Sequence, residues 1–258
     1  MPINQHTILL KDALQNTGFV RRGSAFFRVW GDGVLQTLKF ERSSIYSVHD
    51  LHVGVASMYG KLDPCYFTSR FCLTRESIAT FVGLRNADGY LSPHCFNETD
   101  DGQFIFEGFP ISIDPTHWIN DTAKYFFTPE QQIQILKEKV LPWLNDITSQ
   151  SSAAKALYKL FPFPHDSLRF YAHLAAGELT QAEETMTAVL TQHANAYASW
   201  EKTFSKEKFA EMMARAEEGD APLKELLRMV QEKDEQAISN HLMENYKTNC
   251  EAAKFCMK

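Results

Sequence analysis

The sequence has no long hydrophobic run and no excess of basic charge. No apolar stretch approaches the roughly 18 residues that a membrane-spanning helix needs, and no basic segment precedes an apolar one at the start, so we expect no signal peptide. The net charge of −6 argues against a protein that wraps nucleic acid or binds an anionic membrane. The ordinary composition also excludes collagen, coiled-coil rods and disordered tails.

The cysteines are too few, and odd in number, for a secreted disulfide scaffold. We therefore predict reduced thiols in a cytoplasmic protein. Zinc sites usually draw their ligands as close pairs such as C-x₂-C, and the spacing here is different. For the cluster Cys65, Cys72, His94 and Cys95, the sequence favours buried thiols and a surface histidine on a proline turn. It predicts neither a metal nor a cofactor.

The familiar catalytic motifs are missing as well. There is no Walker loop, no G-x-G-x-x-G, no G-x-S-x-G and no H-E-x-x-H. The paired carboxylates are adjacent in sequence, as in Asp100-Asp101 and Glu183-Glu184, whereas glycosidase chemistry needs two carboxylates facing each other across a cleft. We interpret them as charges on turns and helix surfaces.

Composition changes near Gln150. Residues 1–150 hold 10 of the 12 glycines and 21 of the 32 aromatic residues, which favours strands and turns. Residues 151–258 hold six of the eight methionines. The glycine-poor remainder favours helices. The sequence thus predicts an α+β fold: an antiparallel sheet with helices in residues 1–150, followed by an all-α region, 151–258.

Local signals predict several elements. Asp32-Gly33 between two β-rich runs indicates a hairpin with a type I′ turn, and the alternation that follows, from Val34 to Glu41, fits a strand with one buried side. Thr128, Pro129 and Gln131 form a capping-box pattern at the start of a helix that Pro142 should kink or end. Glycines predict helix breaks at Gly177 and Gly219-Asp220. Further helices are predicted over about 152–161, 166–176, 178–198, 205–218, 221–231 and 233–247.

The opening segment resembles a known family. A helix leads to the Gly18–Gly23 stretch GFVRRG, an aromatic-rich run FFRV, the Asp32-Gly33 turn, a polar strand ending in FERS, and the run LHVGV. This order is similar to that of the bacterial family called domain of unknown function 4304, over about the first third of the chain. The resemblance implies a bacterial, cytoplasmic α+β domain and no known activity.

One loop and one basic cluster are candidates for binding. The segment 114–121 mixes polar groups with a tryptophan, so Asp114, His117 and Trp118 are the candidate binding residues. An Asx turn with Trp118 packed inward is the structural alternative, and the sequence favours it. Arg21, Arg22 and Arg28 could contact phosphate or RNA, but a solvated strand edge fits the acidic balance better.

Two function classes fit these observations. The sequence favours a non-enzymatic protein-binding module of immunity or adaptor type, with a protein partner, no nucleic acid and no membrane. The alternative is a hydrolase-type enzyme of unrecognised class that uses His117 or a Cys–His pair. No catalytic residue is assigned, and the oligomeric state stays open.

Overall fold

The computed structural model describes part of the chain and confirms the α+β class. The described residues are 5–42, 49–63, 67, 76–77, 97–98, 104–106, 109–113, 125–126, 128–160, 167–200 and 203–254. All strand pairs between them are antiparallel, and the chain from Pro129 onward is helical in these ranges. Of the helices described, not one combines the length and the apolar character that crossing a bilayer requires.

The described strands form two sheets, ordered as they follow in the chain. The five-stranded sheet is β1 (Val20–Arg22), β2 (Ala25–Trp30), β3 (Val34–Arg42), β4 (His49–Ser57) and β5 (Glu76–Ser77). The four-stranded sheet is β6 (Asn97–Glu98), β7 (Phe104–Phe106), β8 (Phe109–Ile113) and β9 (Tyr125–Phe126).

The helices begin with α1 (Gln5–Ala13) ahead of the first sheet and resume after the second. They are α2 (Pro129–Ile135), a π-helical turn (Leu136–Val140), α3 (Leu141–Asp146), α4 (Gln150–Leu160), α5 (Ser167–Ala175), α6 (Leu179–Trp200), α7 (Lys206–Gln231) and α8 (Glu235–Ala252). Gly177, with a φ of +73°, lies between α5 and α6, so the predicted break there is confirmed.

The predicted hairpin is confirmed, but its turn differs. Trp30 pairs with Val34, so the loop has three residues, and the positive φ angles belong to Gly31 and Gly33 rather than to Asp32. A contact distant in sequence explains the choice of glycine at position 31. A Cβ atom there would lie 1.9 Å from the carbonyl oxygen of Thr148, which accepts a hydrogen bond from the Asp32 amide.

Strand β3 is buried on both faces, so the expectation of one buried side is wrong. Val34 and Leu38 belong to a hydrophobic cluster on one face, and Leu35 belongs to a second cluster on the other. Even Thr37 and Lys39 are buried. The strand lies in the middle of the sheet, between β2 and β4, and helices pack on both sides of it.

The capping box at the start of α2 is confirmed. The Gln131 amide donates to Thr128 Oγ1, and the Thr128 amide donates to Gln131 Oε1. Pro142 does not end the helix, because the chain stays helical up to Asp146. The π-helical turn immediately before Pro142 widens the backbone where the proline ring would otherwise press on the preceding turn.

Helix α7 runs unbroken from Lys206 to Gln231, so the predicted break at Gly219-Asp220 is wrong. Pro222 also lies inside this helix. Tertiary contacts outweigh the low helix propensity of this segment, because Asp220 is buried and bonded to α6.

The described residues form three hydrophobic clusters. The first lies between the sheet and helices α1 to α5, so it has members on both sides of position 150, such as Leu38 and Leu157. The second joins the opposite face of the sheet to the end of α8, at Ala253. The third joins the last four helices through Phe170, Met186, Leu226 and Ile238 among others. The boundary at position 150 remains a prediction.

Replacing Gly31 with alanine should test the contact between the hairpin and Thr148. We expect Gly31→Ala to lower the free energy of unfolding by at least about 2 kcal/mol, because a Cβ atom would collide with backbone at a positive φ. Gly219→Ala is the matched control, since nothing lies within 4 Å of that Cβ, and it should stabilise α7 by about 1 kcal/mol. Urea unfolding measures both, and equal effects would contradict the proposed contact.

Candidate functional site

The residues singled out for binding from the sequence lie outside the described part of the chain. This applies to Asp114, His117 and Trp118, and equally to the cluster of Cys65, Cys72, His94 and Cys95. Within the described ranges, no three His, Cys, Asp or Glu side chains are grouped so that they could hold a metal ion. The loop at 114–121 therefore remains a hypothesis.

The basic cluster is divided by the fold. Arg21 and Arg22 are exposed on β1, at the edge of the sheet, as a solvated strand edge requires. Arg28 is buried, and its guanidinium serves the interior rather than a ligand. The expectation of a solvated strand edge is therefore confirmed for Arg21 and Arg22 and wrong for Arg28.

The Arg28 guanidinium ties the sheet to two other parts of the chain. Its Nε and Nη2 donate to Gln36 Oε1 at 2.9 and 2.6 Å, Nη1 donates to the Thr17 carbonyl, and Nη2 also donates to Asn145 Oδ1. The rings of Phe19 and Trp30 lie 4.5 and 4.6 Å from its central carbon. Burial lowers the pKa of Arg28 to about 10, so the group is charged at neutral pH.

A second polar group joins α4, α5 and α6. His173 Nδ1 lies 2.6 Å from one carboxylate oxygen of Glu178, and the Ser151 hydroxyl donates to the other at 2.5 Å. The hydrogen bonds from Ser151 and His173 lower the pKa of Glu178. The carboxylate lies between the serine and the histidine, whereas a nucleophilic serine needs the histidine beside it. This arrangement joins the ends of α5 and α6 to α4 and does not activate the Ser151 hydroxyl as a nucleophile.

A third polar group lies between α5 and α8. His241 Nε2 is 3.3 Å from the Tyr171 hydroxyl and 3.3 Å from the Asn245 amide nitrogen, which also donates to the Tyr59 carbonyl. Burial lowers the pKa of His241 and raises that of Tyr171 to about 12. Both side chains are therefore neutral at pH 7, and the group supplies hydrogen bonds rather than a charged acid or base.

The fourth polar group connects α6 and α7. His193 Nδ1 lies 2.7 Å from the Asp220 carboxylate, which is buried. Burial raises the pKa of Tyr197, and the Asp220 carboxylate, in hydrogen-bond contact with it, raises that pKa further. This group marks the place where the helical bundle ends and a two-helix projection begins.

Beyond that place, no residue of α6 or α7 belongs to the three clusters or packs against them. We call residues 194–200 and 203–219 the distal hairpin. In the distal hairpin no residue is buried, whereas the part of each helix next to it contributes Met186, Val189, Leu226 and Val230 to the third cluster. At a rise of 1.5 Å per residue, α6 extends about 16 Å past Val189, to Trp200.

The distal hairpin nevertheless carries large apolar side chains. We define the distal seam as the five of them that are partly buried, two on α6 and three on α7: Tyr197, Trp200, Phe209, Met212 and Met213. Phe204, at the tip, is 39% exposed, and the Tyr197 and Trp200 rings are 4.9 Å apart. On α7 the stripe continues at helical spacing through Asp220 to Leu223 and Leu227, which pack against the third cluster.

The sequence contained the signal for this surface. Phe209, Met212, Ala216, Leu223 and Leu227 follow one helical periodicity, but a helix end placed at Gly219 divides it into two short helices. Continuity across Gly219 becomes visible only when the burial of Asp220 against α6 is known.

Comparisons with known proteins add no relatives. A scan of family models, a search of curated proteins and a search of solved structures each find no match to this chain. The resemblance of the first third of the chain to the domain of unknown function 4304 family stays a prediction.

The structural role of Arg28 can be separated from a ligand-binding role. Arg28→Lys should lower the free energy of unfolding by about 2–4 kcal/mol, because a lysine cannot supply the three-way fork that reaches Gln36, Thr17 and Asn145. Arg21→Lys, on the exposed edge, should change it by less than about 0.5 kcal/mol. Equal losses in chemical denaturation would show that the Arg28 network is not what joins these segments.

His241 should make stability depend on pH. Burial lowers its pKa below the value of about 6.5 in the unfolded chain, so the unfolded chain binds the proton more tightly. Stability should therefore fall as the pH drops below about 6.5. Glu244 opposes the shift and Lys61 adds to it. His241→Gln should flatten the dependence of the unfolding free energy on pH between about 5 and 7. An unchanged slope would assign the titration to another group.

Proposed function

We propose that this chain is a non-enzymatic protein-binding module whose binding surface is the distal hairpin. The observation that supports it is the contrast along α6 and α7: both helices have a buried face as far as Val189 and Asp220, and the same face carries large apolar side chains that are only partly buried beyond them. Apolar faces of this kind on a projection are typical of protein interaction sites.

The neighbouring half of the hairpin indicates what would cover the distal seam. There, α5 and α8 lie against α6 and α7, and the four helices share one core. A partner that presents helices would continue this packing, with its apolar residues between Trp200 and Met212. Burying a fully exposed large apolar side chain contributes about 1.5–3 kcal/mol to the free energy of binding. Each seam residue is only partly exposed and contributes less than this, but the five residues contribute together.

The charges on the distal hairpin leave the seam accessible to a partner. Glu211 pairs with Lys208 at 2.9 Å and with Arg215 at 2.8 Å, so these charges are neutralised within α7. Affinity would come from the aromatic and methionine side chains, with the flanking charges limiting the choice of partner.

The hydrolase alternative draws no support from the described histidine groups. The bonds of His173, His193 and His241 go to carboxylates, a tyrosine and an amide, and none of these bonds within the described ranges reaches a serine or cysteine side chain. His117 lies outside the described residues, so that hypothesis keeps only its sequence basis.

Site-specific photo-cross-linking tests the proposed surface. A photoreactive phenylalanine analogue replaces Phe204 at the tip of the distal hairpin, and the same analogue replaces Tyr158, which is 61% exposed on α4, as the matched control. In cells that naturally contain the chain, we expect a discrete protein adduct at position 204 and none at position 158, because only the first lies beside the distal seam.

The captured protein must then bind in purified form. Trp200→Ala should weaken that binding about tenfold or more, whereas Tyr158→Ala should leave it unchanged. Two results would show that the distal hairpin is not the binding surface. One is an adduct yield at position 204 no higher than at position 158, and the other is an affinity that Trp200→Ala leaves unchanged.

A further inference from the structure

We infer that the protein covering the distal seam is a second copy of this chain, and that two distal hairpins pack into a symmetric four-helix bundle. This inference rests on the proposed function and names its partner.

The distal hairpin extends past the two helices that complete the rest of the bundle. In the half of the hairpin next to the sheet, α5 and α8 complete the bundle around α6 and α7. Helix α5 has nine residues against the 22 of α6, and α8 leaves the bundle after Leu242 to cover the sheet. Among the described residues, neither helix therefore covers the distal hairpin, in which no side chain is buried. A second distal hairpin supplies two antiparallel helices with the same apolar face.

The charges on the distal hairpin are compatible with a symmetric dimer. A two-fold axis brings the same surface of each copy together, so a surface of one charge would repel itself. The described residues of the distal hairpin carry three basic side chains, Lys206, Lys208 and Arg215, and four acidic ones, Glu207, Glu211, Glu217 and Glu218. The two signs nearly cancel here, although the whole chain carries −6.

The polar pair at the inner end of the seam fixes the arrangement of the distal hairpin. His193 and the buried Asp220 are bonded within one chain, where the third cluster ends and the seam begins. The pair fixes how far α6 and α7 slide past each other, because any other alignment of these two helices would bury the carboxylate without its partner. Each copy therefore presents the distal seam in the same arrangement, as a two-fold interface requires.

Sedimentation equilibrium across a wide range of protein concentration tests the inference. We expect the mass to rise from 29.5 kDa to twice that value as concentration increases. Met213→Glu should raise the dissociation constant about tenfold or more, because it places a charge in the new core. Tyr158→Glu, exposed on α4, adds the same charge elsewhere and should leave the dimer unchanged.

Trp200→Ala adds no charge and so tests the seam without the folding risk of Met213→Glu. It should also weaken the dimer, while the chain still unfolds cooperatively in urea. In addition, the purified chain with the photoreactive residue at position 204 should form covalent dimers, and the position 158 control should not. A monomer at every concentration, or a dimer that both seam variants leave intact, would overturn the inference.

The outcomes separate the two proposals. A chain that stays monomeric but gives an adduct with a different protein at position 204 contradicts self-association and supports a protein-binding surface. A chain that gives neither a dimer nor an adduct contradicts both.

Discussion

The burial of β3 on both faces is the constraint on which the rest of the architecture depends. One face of β3 packs against α1 to α5, and the apolar side chains of its other face pack in a second cluster. The end of α8 packs on this second face, and Asn249 donates to the carbonyls of Met58 and Gly60, just after β4. Because α8 must reach the sheet, it leaves α7 early. The uncovered distal hairpin is therefore a consequence of how the sheet is covered.

Polar side chains inside this structure act as joints between layers. Gln36 lies on β3 among apolar neighbours, and its amide nitrogen donates to the Leu144 carbonyl near the end of α3, while its oxygen accepts from Arg28. Asn249 plays the same part for α8. An unpaired buried amide would cost about 1–3 kcal/mol, so these bonds select one arrangement of sheet and helices over alternatives that bury the same apolar area.

Sequence reasoning succeeded where the physics is local. The capping box at Thr128 depends on residues three apart, and it could be predicted, as could the α+β class and the hairpin near Asp32. It failed where a distant residue decides. The close approach of Thr148 to Gly31, the burial of Arg28 under Asn145 and the continuity of α7 through Gly219 depend on contacts across tens to more than a hundred positions. Short-range patterns carry no record of these contacts.

The distal hairpin is also the part of the helical region with the least support from its own chain. Two antiparallel helices without further packing are marginal in water, so its helicity depends on continuation from the four-helix core. On α7, Asp220 is the buried residue next to this projection, and its carboxylate is bonded to His193 on α6. Covering the distal seam would extend cooperative packing past that point and order the projection. Association and local folding are then one process, in which binding supplies the core that α5 and α8 do not reach to provide.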